Sequence, residues 1–309
     1  MNGLLPSTHV RIAHLILAHK DPEINARVVR RLCEFSDVFI HIDKNSDVSC
    51  FEKLVEDTTN CFFIQKRLHC EWGGWNAIVA EIALIEAALA KGKYDRIVFL
   101  QGLDYPIKSN ESIQRFFDEN PETEFIRGCN CSISKEWYFR RRCRQLWFLN
   151  NQNCVKRFFQ RIMSFLHIEL RSGYIHYDGK RWPVFWGSAQ WALTAECAQW
   201  IVDFFHSHGR FNRWFYYSFP VDELYFATVV MNSEWAQKTT NGGPETEKKG
   251  LVNWRNLHYF EYPKQIKIFT AADYELLTGR PELYCRKVTS ELSMRLLDML
   301  DSDSVSEPN

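Results

Sequence analysis

Short apolar runs alternate with segments of helical spacing along the first part of the chain, and this alternation constrains the fold more than any other feature. Strands are predicted at 10–18, 37–43, 61–65, 96–102 and 124–128, with helices starting near residues 22, 74 and 110. Strands that alternate with helices form a mostly parallel sheet with helices on both faces. We therefore predict an α/β fold. Beyond residue 128 the pattern loosens, with a strand at 190–194, helices at 195–208 and 222–232, and a polar tail at 301–309 that we expect to be disordered.

Charge and composition exclude some classes of protein. Lys plus Arg equals Asp plus Glu at 38 each, whereas a general nucleic-acid binder carries a basic excess. Aromatic residues make up 15% of the chain; many sugar sites use aromatic faces, although most aromatic residues fill cores. The ten cysteines include no CxxC pair, which argues against zinc and predicts free thiols. No signal or transmembrane segment is recognised, and we expect a cytoplasmic protein.

Polar residues follow the predicted strands, where ligands bind in open α/β sheets. His19 lies in "AHKD" after the first strand, and Asp43 lies in "HIDKNS" after the second. An acid at the second position can hydrogen-bond a ribose or a base, although a cap for the following turn is the simpler interpretation of Asp43 alone. No GxGxxG or GxxxxGK[ST] motif is present, so a dinucleotide fingerprint and a P-loop are both absent.

Two further stretches have polar or glycine residues where a ligand could approach. Trp72 and Gly73 lie in "EWGGWNA", just before a helix start that favours anions, although a tight loop explains the glycines equally well. The stretch "LQGLDYPIKS" ends the fourth strand. A plain turn would use its glycine and proline but would not need its acid, Asp104. For Asp104 we expect a structural role somewhat ahead of a sugar contact.

Two acids, Asp222 and Glu223, follow Pro220 at a predicted helix start. Acids at a helix N-terminus are ordinary capping chemistry. A general base must also lie beside bound substrate, and a helix start next to a proline turn suits that role. "WGSAQWALT" places Ser188 between two tryptophans.

Seven motifs occur in an order that resembles the core-2/I-branching glycosyltransferase family: AHKD, HIDKNS, WGGWNAIVAE, LQGLDYPIKS, WGSAQWALT, VDELYFATVVMNS and YCRK. That family includes β-1,6-N-acetylglucosaminyltransferases and peptide O-xylosyltransferases. No single motif is specific, but the ordered set is, and it runs from about His14 to about Lys287. The resemblance implies a GT-A-type fold, a UDP-sugar donor, inversion at the anomeric carbon and no metal or other cofactor.

The resemblance also implies roles for individual residues. Glu223 matches the family's catalytic base, and Asp43 matches a residue that binds the uridine portion. Lys287 and Lys264 match basic residues at the donor diphosphate, and Trp254 resembles a tryptophan near the sugar pocket. The other predicted substrate-binding residues are His19, Trp72, Gly73, Asp104, Ser188 and Arg286. The region after residue 128 does not match the family well, which leaves the acceptor open.

The absence of a metal motif agrees with what the resemblance implies. GT-A enzymes usually hold a divalent cation with a DxD pair, and here the only such pair, Asp301 with Asp303, falls in the tail, where we expect it to be solvated. Lysine or arginine can neutralise the leaving group instead. Inversion needs one base rather than the paired carboxylates of a glycosidase.

We predict a single glycosyltransferase domain at 8–290, with a nucleotide-sugar half at 8–128 and an acceptor and catalytic half at 129–290, followed by a C-terminal helix and polar tail at 291–309. The donor sugar is GlcNAc or xylose, with "FATVVMNS" slightly favouring xylose, and the acceptor is a glycan. The lack of an anchor suggests bacterial surface polysaccharide synthesis. The alternatives are a sugar-nucleotide or glycan-binding protein without turnover, and a glycoside hydrolase.

The segment 138–168 concentrates arginines and lysines among aromatic residues. Such a mixture suits a helix on an anionic membrane surface, where a lipid-linked acceptor could lie. Aromatic residues at helical spacing more often indicate core, so a packed helix with solvated arginines, or arginines that contact the substrates, is the favoured interpretation.

Overall fold

The computed structural model describes residues 9–148 and 154–306, which form a central sheet flanked by helices. The strands are β1 (Ile12–Ala18), β2 (Asp37–Ile42), β3 (Cys61–Phe63), β4 (Arg96–Gln101), β5 (Asp104–Pro106), β6 (Cys129–Asn130), β7 (Tyr174–Tyr177), β8 (Lys180–Pro183), β9 (Phe185–Trp186), β10 (Ala192–Thr194), β11 (His258–Tyr259) and β12 (Tyr284–Arg286). The helices are α1 (Pro22–Leu32), α2 (Ser49–Glu52), α3 (Trp75–Lys91), α4 (Asn110–Glu119), α5 (Trp137–Arg144), α6 (Cys154–Phe165), α7 (Ala195–Ser207), α8 (Gly209–Asn212), α9 (Tyr225–Met231), α10 (Tyr274–Thr278) and α11 (Ser290–Ser306).

The main sheet has the strand order β3-β2-β1-β4-β10 and is mostly parallel, as predicted. Strands β1 to β4 run parallel, and β10 joins β4 in the antiparallel direction. Because β1 lies between β2 and β4, the chain moves to one side of β1 first and to the other side later. The carboxyl ends of β1 and β4 therefore border a crevice at the point where the strand order reverses.

Alternate residues of the central strands pack into separate cores on the two faces of the sheet. Leu15 and Phe39 belong to the larger cluster, which contains residues of α3 and α7. Ile16 and Ile40 point to the other face and pack with residues of α1, α4 and α11. This alternation follows from the two-residue period of a strand, and it covers the sheet on both sides.

A second, three-stranded sheet with the order β11-β12-β5 lies beyond the end of β4. Strand β12 pairs antiparallel with β5, which sets Arg286 opposite Asp104. The stretch that ends β4 is thus not a plain turn, since it continues directly into a strand of another sheet.

Three predictions for local structure are wrong. Residues 124–128 form no strand, since Phe125 makes only an isolated bridge with Ala192. The helix predicted from 222 begins at Tyr225, and both acids lie in the preceding turn, whose Val221 N–H donates to Gly73 O at 3.0 Å. The tail is helical as far as Ser306, because Asp301 is drawn into contacts with the body of the protein.

The expectation that Asp301 is solvated is also wrong. Its carboxylate pairs with Arg31 at 2.9 Å and Arg27 at 2.7 Å, and it accepts the hydroxyl of Tyr105 at 2.7 Å. These contacts tie the last helix to α1 and β5. The side chain of Asp303 lies outside the described residues.

The packed helix favoured for 138–168 is found in α5, although its arginines are not simply solvated, and it is not found in α6. In α5, Phe139 and Arg142 are buried, while Arg140 and Arg144 both pair with Glu169. The aromatic residues of α6 instead face solvent, Phe158 among them. Within the described residues, none of the helices combines the length and the apolar character needed to cross a bilayer.

Candidate active site

Two adjoining cavities of about 590 Å³ and 320 Å³ open beyond the carboxyl ends of β1, β2 and β4. Four residues line both cavities and form the junction between them: Trp72, Gln101, Asp222 and Arg286. The crevice that the strand order predicts is therefore present as a divided cleft. We call its parts the larger cavity and the smaller cavity.

The larger cavity is lined by the loops that follow β1 and β2 and by the residues just before α3. Five residues predicted from sequence contribute to it: His19, Asp43, Trp72, Gly73 and Arg286. Trp72 is 81% exposed and packs edge-on against Phe219, with ring centroids 5.0 Å apart, so it forms part of the rim.

Glycine is required at two places in the wall of the larger cavity. Gly73 has φ +65°, and a Cβ there would lie 2.6 Å from the Phe219 ring. A Cβ on Gly102 would lie 2.6 Å from Cβ of Ala18, which lets the end of β4 approach β1 closely. A side chain at either position would shift the cavity wall.

Asp43 caps the loop after β2, as the simpler interpretation of its sequence position predicts, and it also lines the larger cavity. Its carboxylate accepts the backbone N–H groups of Asn45 at 2.8 Å and Cys70 at 2.7 Å, and lies 3.1 Å from the His69 ring. Burial would raise the pKa of Asp43, but these contacts lower it below its ordinary value. The group is therefore a fixed anion at neutral pH.

Three basic side chains lie close together: Lys20 and Arg286 line the larger cavity, and Lys287 lies near both of them. Burial, Lys20 and Arg286 together lower the pKa of Lys287. Burial and the positive charges of Lys20, Arg286 and Lys287 lower the pKa of His19, whereas the charge of Asp43 acts in the opposite direction. Neither Lys20 nor Lys287 forms an ion pair with an acidic side chain of the described residues. Like charges held together in this way favour a bound anion.

Asp104 holds Arg286 in place and does not reach the cavities. It is buried, accepts Nη1 of Arg286 at 2.6 Å and the N–H of Gln101 at 2.8 Å, and lies 3.1 Å from Nε2 of His258. Burial would raise the pKa of Asp104, but Arg286 and His258 lower it. The geometry supports the structural role expected for this residue, and it does not support a direct sugar contact.

The smaller cavity contains Glu223, Ser188 and Trp254, three of the residues predicted from sequence. Ser188 is engaged with Gln190, its hydroxyl lying 3.0 Å from Oε1. The Trp254 ring packs against Trp186 with centroids 5.2 Å apart, and its indole N–H donates to Lys248 O at 2.8 Å. Aromatic side walls and a carboxylate therefore meet in one pocket.

Glu223 has the perturbed titration expected of a general base. Burial and neighbouring Asp222 raise the pKa of Glu223 to about 7, against the opposing effects of Arg142 and of the hydrogen bond from Trp186. A carboxylate with that pKa can accept a proton near neutral pH.

Asp222 lies beside Glu223 and lines both cavities. Burial raises the pKa of Asp222, and its Oδ1 has no hydrogen-bond partner among the described residues. Behind it, burial and the charge of Asp222 raise the pKa of Glu81 well above its ordinary value. The shift favours the neutral form of Glu81.

The sequence model of the core-2/I-branching enzyme family matches residues 12–277. The chain belongs to this family of glycosyltransferases. The match runs from β1 into α10. Of the residues of the cleft described above, only Arg286 and Lys287 lie outside it.

The curated proteins that this chain resembles include xylosyltransferases. A xylosyltransferase of Ciona intestinalis is 22% identical over 94% of this chain and 34% of its own length, and xylosyltransferase 2 of Rattus norvegicus is 22% identical over 94% of this chain and 33% of its own. The chain thus spans about a third of the length of these relatives. A solved structure from Bacillus anthracis, described provisionally as a glucose-1-phosphate thymidylyltransferase in complex with sucrose, has 12% identity and a TM-score of 0.31, and covers 62% of this chain and 74% of that one. Because that TM-score is low, the likeness supports no inference.

Neither of the two lysines that the family resemblance assigns to the donor diphosphate lines a cavity. Lys264 is exposed and lines neither cavity, whereas its neighbours Gln265 and Ile266 do line the smaller one. Lys287 differs from Lys264 because it lies close to Lys20 and Arg286, and both of those residues line the larger cavity.

Sequence reasoning missed other residues of the site. Lys20 stands beside His19 in "AHKD" and could have been chosen from its place at a strand end. Trp186 likewise lies in a motif that was singled out. Arg142 gave no such signal, since only the fold stacks its guanidinium 4.1 Å from the centroid of the Trp186 ring. Within the described part of the chain, no three His, Cys, Asp or Glu side chains are grouped so that they could hold a metal ion.

Proposed function

We propose that the protein is an inverting glycosyltransferase of GT-A type that moves a sugar from a UDP-sugar to a hydroxyl group of a glycan acceptor. Family membership supports the reaction class. The roles of individual residues rest on the geometry of the divided cleft.

One observation carries the proposal: the base and the cations lie at different ends of the same cleft. Glu223 lines only the smaller cavity, Lys20 lines only the larger one, and Arg286 lines both at the junction. An inverting transfer needs this separation, because the attacking hydroxyl must approach the anomeric carbon from the face opposite the leaving group.

The larger cavity suits the nucleotide diphosphate. Asp43 offers a fixed carboxylate for the uridine portion, and the cluster of Lys20, Arg286 and Lys287 lies where the diphosphate charge would need neutralising. Fixed cations stabilise a leaving group whose charge grows in the transition state. This arrangement supports transfer without a divalent cation.

The transferred sugar would lie at the junction, with the acceptor in the smaller cavity. Oδ1 of Asp222 is positioned to accept a hydrogen bond from a sugar hydroxyl, and Trp254 offers an aromatic wall. Glu223 takes the proton of the acceptor hydroxyl as the oxygen attacks the anomeric carbon. The bond from that carbon to the diphosphate oxygen breaks, and UDP leaves with the electron pair.

Xylose is the first donor sugar to test, because the curated relatives are xylosyltransferases and the "FATVVMNS" segment favours the same choice. GlcNAc is the second, since the family resemblance includes acetylglucosaminyltransferases. A role in bacterial surface polysaccharide synthesis stays a prediction that neither the comparisons nor the geometry tests.

The deciding experiment measures UDP release from a panel of UDP-sugars, with and without a mixture of glycan acceptors, in excess EDTA. We expect acceptor-dependent UDP release from UDP-xylose or UDP-GlcNAc. Tight UDP binding without turnover of any donor would instead identify a binding protein with this fold. Hydrolysis of glycans without UDP binding would identify a glycoside hydrolase.

A further inference from the structure

Helix α6 presents an apolar stripe to solvent. Its inner side is held by Met163, which is buried and whose carbonyl accepts a hydrogen bond of 3.1 Å from Nε2 of Gln145. The apolar residues on the outer side are spaced three or four positions apart and are all exposed: Val155, Phe158, Phe159, Ile162, Phe165 and Leu166. Phe158 is 65% exposed and Phe165 is 85% exposed. An apolar face at helical spacing that turns away from the core is the reverse of ordinary packing.

The charges of α6 indicate what covers this stripe. The helix sequence contains Lys156, Arg157 and Arg161 and no Asp or Glu. Arg161 is exposed. A symmetric contact between two copies of α6 would place the exposed Arg161 of one copy against the same basic helix of the other. An anionic lipid surface complements both the basic residues and the apolar face.

Aromatic contacts connect the stripe with the cavity rim. The ring of Phe159 lies 6.3 Å from that of Phe148, and the adjacent Trp147 packs 4.9 Å from Phe219. Phe219 in turn contacts Trp72 at the junction of the two cavities. A flat surface that covers α6 would therefore lie beside the mouth of the cleft.

We propose that the outward face of α6 binds an anionic lipid bilayer as an interfacial helix. The bound helix lies in the plane of the headgroups, with the phenylalanines inserted and the basic residues among the lipid phosphates. This inference does not require the proposed reaction, because lipid binding can be measured without a donor or an acceptor.

The test is co-sedimentation of the full chain with vesicles of phosphatidylcholine mixed with phosphatidylglycerol, at low and high salt, beside vesicles of phosphatidylcholine alone. We expect binding to the anionic vesicles that weakens as salt rises. Phe158→Gln combined with Phe165→Gln should lower the partition coefficient roughly tenfold or more, because two exposed rings lose their apolar burial. Arg161→Gln should lower it about fivefold.

Matched controls lie on another helix. Leu292 in α11 is 52% exposed, and Arg295 in α11 is also exposed, so Leu292→Gln and Arg295→Gln should leave partitioning unchanged. Circular dichroism and UDP binding check that each variant is folded.

Three results would overturn the proposal. The wild-type protein could stay in the supernatant with anionic vesicles at low salt. The phenylalanine variant could sediment as well as the wild type. Sedimentation equilibrium without lipid could also show a dimer that this variant dissociates, in which case a second copy of the chain covers the stripe.

Discussion

The indole N–H of Trp186 donates a hydrogen bond of 2.5 Å to Oε2 of Glu223. Trp186 is itself fixed, because it is buried and the guanidinium of Arg142 stacks on its face. The hydrogen bond orients the carboxylate in the smaller cavity and engages Oε2, so in the proposed reaction Oε1 would receive the proton of the acceptor hydroxyl. The predictions below concern this carboxylate, the acid beside it, and the cations across the junction.

Replacement of the base should separate binding from turnover. Glu223→Gln preserves the shape and the contact with Trp186 but removes the proton acceptor. We expect UDP-sugar affinity to stay near the wild-type value while kcat falls by roughly two to four orders of magnitude. Isothermal titration with UDP and steady-state assays measure the two quantities. Near-normal kcat would remove Glu223 from the mechanism and make Asp222 the next candidate.

The rate should depend on pH through Glu223. A general base works only when deprotonated, and burial and Asp222 raise the pKa of Glu223 to about 7. The value of kcat should therefore fall as the pH drops below about 7 and level off above it. Asp222→Asn removes the neighbouring negative charge, so the acidic limb should move to lower pH even if kcat itself is smaller. An unmoved limb would show that another group controls it.

Removal of the cations should weaken binding of the donor. Lys20→Ala or Lys287→Ala should each raise the dissociation constant for UDP by roughly tenfold, because each removes a charge-assisted contact with the diphosphate. Lys264→Ala is the matched control and should have little effect, since Lys264 is exposed and does not belong to the cluster of Lys20, Arg286 and Lys287. Activity should survive EDTA. A strict requirement for Mn²⁺ or Mg²⁺ would contradict neutralisation by lysine and arginine alone.

The buried partner of Arg286 should matter for both stability and binding. Asp104→Asn leaves Arg286 and His258 without their anion, and we expect a loss of about 3 kcal/mol in the free energy of unfolding. Donor affinity should fall as well, because Arg286 is no longer held at the junction. Urea denaturation and UDP titration measure the two effects.

A surface ion pair provides the comparison for Asp104. Asp298 is 69% exposed and pairs with Arg27 at 2.8 Å. Asp298→Asn should cost less than about 1 kcal/mol and should leave UDP binding unchanged. If both variants lost the same free energy of unfolding, the burial of Asp104 would not make its ion pair more stabilising than a surface pair.

The sequence by itself determined the alternation of β1 to β4 with α1, α3 and α4, the parallel sheet and the edge of the sheet where the cleft opens. These features depend on local periodicity and on the position of polar residues at strand ends, so they can be predicted without knowledge of distant contacts. His19, Asp43 and Glu223 were found in this way or through the ordered motifs, and all three line the cleft.

The tertiary structure alone decided which distant residues act together. Asp104 and Arg286 are 182 positions apart and meet only because β5 pairs with β12. Lys20 and Lys287 come from opposite ends of the chain and likewise lie close together only in the folded protein. Likewise, the spacing of the α6 phenylalanines predicts a helix with one apolar face, but only its packing through Met163 shows that this face points to solvent. Periodicity defines the faces of an element, and contacts between elements decide which face is buried.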